Sequence, residues 1–496
     1  MVLPLRVHPL DTWVDPADAF VTLFGASDVD AAWLDSGPEA VDGRSFIGTG
    51  TISATSSVSD GTVTIGGVTS PGGILDALRD DLTARRHPEP SGNPVGWWGR
   101  FGYEAGAAAA GAPVAGARVA RAGGAPMASA SVAGAPDASP GTKPPVDAAF
   151  LLVDRLLTFD HAARSVVIVA PDDAAGHAWT DEVVRTLGSR ATRDSARLYE
   201  SAHPVPEATS RWRHDDTAYL AAIDACRAAI RAGDAYQLCL TNQATARTGA
   251  DPLAVHLRLR RVSPAPYGGF LRIAGESLVS SSPEEFLRMD AHGRVRTRPI
   301  KGTRPRGATV AADLELRAEL EASEKERAEN VMIVDLMRND LGRVCEVGSV
   351  EVSHLLAVES YAQVHQLVST VEGRLRAGLT TMDAVAACFP AGSMTGAPKL
   401  SAMRILHRLE NGRRGAFAGC FGYLALDGTA DLAMVIRSIH FADGVATIGA
   451  GGGITALSVP AEELEEVRVK ARALFAAAGL SGETTGPANG AAGPTG

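Results

Sequence analysis

The 496-residue chain is long enough to bury a large core and to fold as two domains or two fused lobes. Its formal net charge of −10 argues against a nucleic-acid groove, while leaving room for a local basic pocket that takes a small anion. Five widely spaced cysteines in apolar contexts, with no CxxC pair, read as buried thiols in a reducing compartment and speak against a zinc site. No apolar run is long enough for a signal peptide or a membrane span, so the expectation is a cytoplasmic protein.

In chain order, the first hundred residues carry short apolar runs broken by Gly, Asp and Ser: DAFVTLFG, GRSFIGTG, TISATS and GTVTIGG. Runs of that kind predict antiparallel strands. GGILDALRDDLTARR, from Gly72, predicts an amphipathic helix, and GWWGRFGYE brings Trp97, Trp98, Phe101 and Tyr103 together as core aromatics. From 105 to 145 the composition turns to Ala, Gly, Pro and Ser, which cannot offset the entropy of ordering, so a surface insertion is expected. AFLLVDRLLTFDHAARSVVIVAP then predicts two strands, HAWTDEVVRTLGSRA a helix, and a charged linker leads to the second half.

There, YLAAIDACRAAIRAGD has apolar residues at helical spacing and a glycine stop at Gly233. AYQLCLTNQATAR alternates as a strand, with Gln237 and Cys239 on one face. The stretch 281–307, SSPEEFLRMDAHGRVRTRPIKGTRPRG, predicts two strands around a turn at His292 and Gly293, with Lys301 carried on the second. The sequence from Asp313 is helical, with a break near Ala322 and Ser323. Strands, a helix over TMDAVAACF, the loop PAGSMTGAPK and a helix from about Pro398 follow. Three more strands, the helix AEELEEVRVKARALFAAAG and a disordered tail at 481–496 complete the chain. The fold class expected is α+β, with antiparallel sheets flanked by helices.

Several groups could carry chemistry. Glu326 and Glu329 share one helix face, and Glu463 and Glu466 share another. Each pair reads either as a solvated face or, at the mouth of a buried helix, as part of an oxygen shell for Mg²⁺. The loop AGSMTGAPK lacks the GKS or GKT ending of a phosphate loop. GAGGGIT, including Gly451, Gly452 and Gly453, is either a backbone nest for a carboxylate or a structural turn. Arg437 and Lys470 could supply positive charge to the same ligand, and Lys470 also has Glu466 one turn before it. Glu284 and Lys301 are either an acid and a nucleophile or a plain salt bridge.

Taken together, YQLCLTNQ, SSSPEEF, TRPIKGTRPRG, EKERAENVMIVDLMRNDLGRV, VHQLVSTVEG, FPAGSMTGAPKLSAMRIL, RRGAFAGCFGYL, MVIRSI, GAGGGIT and PAEELEEVRVKA resemble the chorismate-utilising enzymes, almost continuously from 216 to 480 and in the family's order. WLDSG with GRSFIG, GWWGRFGYE and FLLVDRLLTFD resemble the family's N-terminal part more weakly. The resemblance implies a two-lobed fold of stacked antiparallel sheets: an N-terminal lobe over 1–205 with its insertion at about 105–145, and a chorismate-binding catalytic domain over 206–480. It implies Mg²⁺ held by Glu329 and Glu466 with Glu326 and Glu463 in support. Arg437, Gly451, Gly452, Gly453 and Lys470 would hold carboxylates, His365 and Thr303 would line the ring site, and Glu284 would assist departure of the C4 hydroxyl.

Members that add water use a lysine base where Gln237 stands here, and an amide cannot accept a proton as a base. Anthranilate-forming members usually read PIAGT where this chain reads PIKGT. Lys301 therefore implies amination at C4, with the lysine as proposed nucleophile at C2. Burial and the adjacent Arg298 and Arg304 would lower its pKa, and Glu284 and the other glutamates would oppose that. Asn330 and Phe417 depart from the frequent His and Tyr of the family, and the loss of that tyrosine hydroxyl leaves Arg437 and backbone to hold one carboxylate. Ser36 in LDSG resembles the region that binds tryptophan in relatives, as an effector site or a structural one. The chain contains no GxCxGxQ-type segment, so the implied partners are a separate glutamine amidotransferase subunit supplying ammonia and a lyase acting on the product. The rival expectations are amination at C2 to give anthranilate and a non-catalytic scaffold that binds the amidotransferase.

Overall fold

A computed structural model describes residues 4–87, 92–115, 144–189, 193–361 and 363–482. Two large sheets, of 13 and 12 strands, form its centre, and their pairings are antiparallel apart from the short Ala208–Trp212 and Leu480–Gly482 pair. The period of two in the strands distributes their side chains between three cores. Ala32, Trp98, Leu151, Leu271 and Phe421 fill the space between the sheets. Their strand neighbours Trp33, Phe159 and Phe270 point outward to a helical layer on the first sheet, and Trp97, Phe150 and Phe286 do the same on the second. The result is four layers, helix, sheet, sheet, helix, in line with the α+β expectation.

Both sheets draw strands from the two halves of the chain. In the first, Ala31–Asp35 pairs with Tyr267–Ile273, and in the second, Gly96–Phe101 pairs with Cys420–Ala425. Trp97, Trp98, Phe101 and Tyr103 are buried, as the aromatic cluster required, and all five cysteines are buried and free. The helix from Asp313 is indeed two: Val310–Ala322 and Glu324–Gly342 meet at Ser323, which ends one and caps the other by accepting from the Glu326 amide.

Several local readings change, and Lys301 lies on a strand of its own, Ile300–Pro305, rather than on Arg294–Thr297 after the His292 turn. DAFVTLFG, expected as a strand, lies in the helix Pro16–Phe24: Asp15 caps the Ala17 amide at 2.8 Å and Pro16 occupies the first turn. The segment expected to be irregular from 105 begins inside the helix Tyr103–Ala109, and the charged linker contains the helix Ser195–Ala202. Residues 116–143 of the expected insertion and 483–496 of the expected tail lie outside the described residues. Among the described residues, no helix is long and apolar enough to cross a membrane.

Candidate active site

Three strands and two helices build the site. The strand Gln237–Arg247 lies beside Val445–Ile454 in the first sheet, with Cys239 opposite Gly453. The strand Ile300–Pro305 forms an edge of the second sheet against Val364–Arg374. The helices Glu324–Gly342 and Pro460–Ala477 point their first turns at the same space and are tied there by Lys325 and Glu463 at 3.0 Å.

The glycine run is a close approach of backbone to side chains. A Cβ on Gly453 would sit 2.4 Å from Gln237 Nε2 and 3.2 Å from Glu329 Oε2, and one on Gly452 would lie 3.0 Å from Glu463 Oε2. A side chain there would have to displace these groups, and at Gly451 it would meet the Leu240 carbonyl at 2.5 Å. The neighbouring strand Ser438–Ala442 pairs with the start of Val445–Ile454 and then turns away at Arg437, whose φ is 51°. Its departure leaves one edge of the Gly451–Gly453 backbone without a strand partner.

Among the described residues, the partly buried Arg437 guanidinium has neither a hydrogen bond nor an ion pair. Burial pulls its pKa down against the attraction of Glu466. A desolvated cation with no partner is costly unless an anion completes it. Gln237 is 1% exposed, and its Oε1 has no hydrogen-bond partner. Lys470 Nζ donates to Gly451 O at 2.8 Å and pairs with Glu466 at 2.6 Å.

Lys301 extends into this space beside Glu284, Glu329, Cys239 and Glu466, all of which act on its charge. Burial alone would lower its pKa, but these acidic neighbours outweigh burial and hold it above the usual lysine value. Arg298 and Arg304, expected to push the other way, are engaged elsewhere: Arg298 pairs with Glu359, and Arg304 with Glu319 at 2.9 Å. Glu284 is 5% exposed, and burial pushes its pKa up to about 7 against the opposing pull of Lys301, a Ser393 hydrogen bond and the Ile300 amide. Burial likewise raises Glu329 to about 7, against Lys301.

The Mg²⁺ expectation is corrected here. Among the described residues, no group of three or more His, Cys, Asp and Glu side chains is placed to hold a metal ion. The glutamates chosen as ligands meet cations instead. Glu463 pairs with Lys325, Glu466 with Lys470, and Glu326 with Arg304 at 3.6 Å, while Lys301 acts on Glu329. Carboxylates spread along two helices and turned to separate ammonium and guanidinium groups do not form one oxygen shell. The Lys470–Glu466 pair one turn apart was legible in the sequence, but Lys325–Glu463 and Arg304–Glu326 join separate elements, which spacing could not reveal.

Two other expected residues sit further out. His365 is buried with its Nδ1 2.8 Å from Ser360 Oγ and its Nε2 3.0 Å from Asp313 Oδ1 on the helix Val310–Ala322. Thr303 is exposed, beyond a bulge on the Lys301 strand. Ser36 lines a separate cavity of about 640 Å³ with Asp35, Phe46, Tyr267, Tyr423 and Asp431, and its hydroxyl donates to Arg44 O at 2.8 Å. Sequence reasoning missed Cys239 and Arg414. The Cys239 thiol feels the charges of Arg414, Lys301 and Lys470, and the two arginines before Gly415 were the one sequence signal available for Arg414.

Comparison with known proteins agrees with this architecture. The model of the chorismate binding enzyme family matches residues 33–476. The chain belongs to that family. It is 43% identical over 418 residues to an aminodeoxychorismate synthase of Streptomyces pristinaespiralis, covering 82% of this chain and 54% of the relative. It is 41% identical over 343 residues to an anthranilate synthase component 1 of Streptomyces coelicolor, covering 67% of each. The chain thus spans about half the length of the first of these relatives. Its fold matches the crystal structure of anthranilate synthase component I from Streptococcus pneumoniae with a TM-score of 0.72, at 26% identity over 89% of this chain and 93% of that one.

Proposed function

We propose that this protein is component I of an aminodeoxychorismate synthase, which aminates chorismate at C4. Ammonia would come from glutamine through a separate amidotransferase subunit, and the product would keep its enolpyruvyl group for a separate lyase to remove. The observation that carries the reading is Lys301, set in the cleft beside Glu284 with an amide, Gln237, in place of a base.

In this reading Arg437, the Gly451–Gly453 backbone and Lys470 bind the substrate's carboxylates, since the unpaired guanidinium needs an anion. Gln237 offers an acceptor oxygen but cannot take a proton from water, which disfavours hydroxylation. Lys301 must lose its proton before it can attack C2. Transfer of that proton to the Glu284 carboxylate would supply the neutral amine and the acid for the departing C4 hydroxyl in one step. A carboxyl group raised to about 7 is suited to that exchange. Ammonia then adds at C4 as the C2–nitrogen bond breaks and frees Lys301.

The test is product identity. With chorismate and ammonium, the protein should yield no fluorescent anthranilate, and para-aminobenzoate only after an aminodeoxychorismate lyase is added. Anthranilate as the main product would overturn the C4 assignment.

A further inference from the structure

Glu104 lies on the Tyr103–Ala109 helix, in the first half of the chain, and is 4% exposed. Its Oε1 accepts from the Arg414 amide at 2.7 Å and its Oε2 from the Gly415 amide at 2.9 Å. Gly415 turns with φ 62°, so these two amides sit in a bend where no ladder would satisfy them. The carboxylate takes both.

What the bend carries gives the contact its consequence. The Arg414 side chain donates to Cys239 O at 2.9 Å, to Met394 O at 2.6 Å and to both oxygens of Glu410, with the Tyr103 ring 4.3 Å from its guanidinium carbon. Glu410 Oε1 in turn accepts from the Thr241 amide and hydroxyl, both at 2.9 Å. Cys239 and Thr241 belong to the strand that presents Gln237. Three residues beyond Arg414, Phe417 packs against the glycine strand so closely that a Cβ on Gly449 would lie 2.1 Å from its ring.

We propose that Glu104 is a positioning residue for the chorismate site: by fixing the Arg414–Gly415 bend, it sets the place of the Gln237 strand and of the glycine run against which the substrate lies. The inference rests on the chorismate reading above. It assigns to the first half of the chain a part in substrate binding without direct contact.

Glu104→Gln is the test, because it keeps the volume but turns one acceptor oxygen into a donor facing an amide. The variant should raise KM for chorismate about tenfold and leave kcat within about twofold, the pattern of lost uniform binding. In hydrogen exchange without ligand, amides 414–417 should lose protection while Gly96–Phe101 keeps it. Glu104→Asp, which retains two acceptors on a shorter arm, should recover part of the affinity. If the wild type consumes chorismate and Glu104→Gln matches it in KM, or leaves exchange at 414–417 unchanged, the inference fails and the functional reading stands. A wild type that does not consume chorismate overturns the functional reading and the inference with it. Should Glu104→Gln not fold, Phe417→Leu acts further along the same path; a fall in kcat at unchanged KM there would overturn the inference.

Discussion

Lys301 shows how a residue's neighbours decide its chemistry. A buried lysine surrounded by arginines would be a ready nucleophile, but here the arginines are paired with other glutamates and the charges acting on the lysine are acidic. The lysine rests as an ammonium and needs an acceptor for its proton. Lys301→Ala should lower the rate of C4 amination by about a hundredfold or more if covalent attack occurs, and an unchanged rate would leave Lys301 as a counter-charge. Glu284 bears on pH. A carboxyl raised to about 7 is protonated below that value and ionised above it, so the carboxylate that takes the Lys301 proton is lost as pH falls. The kcat/KM profile should therefore show an ascending limb near pH 7, and Glu284→Gln should remove that limb and cost about a hundredfold in rate.

At the scale of elements, local signals were legible where they were unambiguous. The break expected near Ala322 and Ser323 appears, with Ser323 ending one helix and capping the next. DAFVTLFG misled because a short apolar run has no clear period, and the deciding signal was the preceding Asp15-Pro16 start. The glycine strand is the element on which the site depends most. Gly453→Ala would place a methyl 2.4 Å from Gln237 Nε2, on a strand held in register by its pairing with Gln237–Arg247. The variant should lose about 1–3 kcal/mol of stability in denaturant titration, together with chorismate affinity. Retention of both would show that Gln237 can rotate aside.

At the scale of the molecule, the two halves of the chain are interleaved in both sheets. Buried ion pairs span them, and in one of these Asp35, at the end of a first-half strand, accepts from Arg260 Nε at 2.7 Å on the second-half helix Pro252–Val262. Burial pushes the Asp35 pKa up, but Arg260 and Ser45 outweigh it, so the folded value lies below the ordinary one. Its contribution is therefore present above about pH 4 and is lost as pH falls towards the lowered folded value. Asp35→Asn should cost about 3–5 kcal/mol at neutral pH by stranding Arg260, and should flatten the acid limb of the stability curve measured by denaturant unfolding.

The sequence by itself determined the α+β class, the helices with capped ends, the aromatic and cysteine core, and the motifs that placed the chain among chorismate-binding enzymes. These are encoded in period, caps and motif order, which are local along the chain. Only the tertiary structure decided which charges meet. Lys325 and Arg304 occupy glutamates that the family resemblance assigned to a metal, Arg437 has neither a hydrogen bond nor an ion pair among the described residues, and Glu104 reaches across more than three hundred residues to hold the Arg414 bend. Electrostatic roles depend on distance and burial between elements, and neither is fixed until the sheets have stacked.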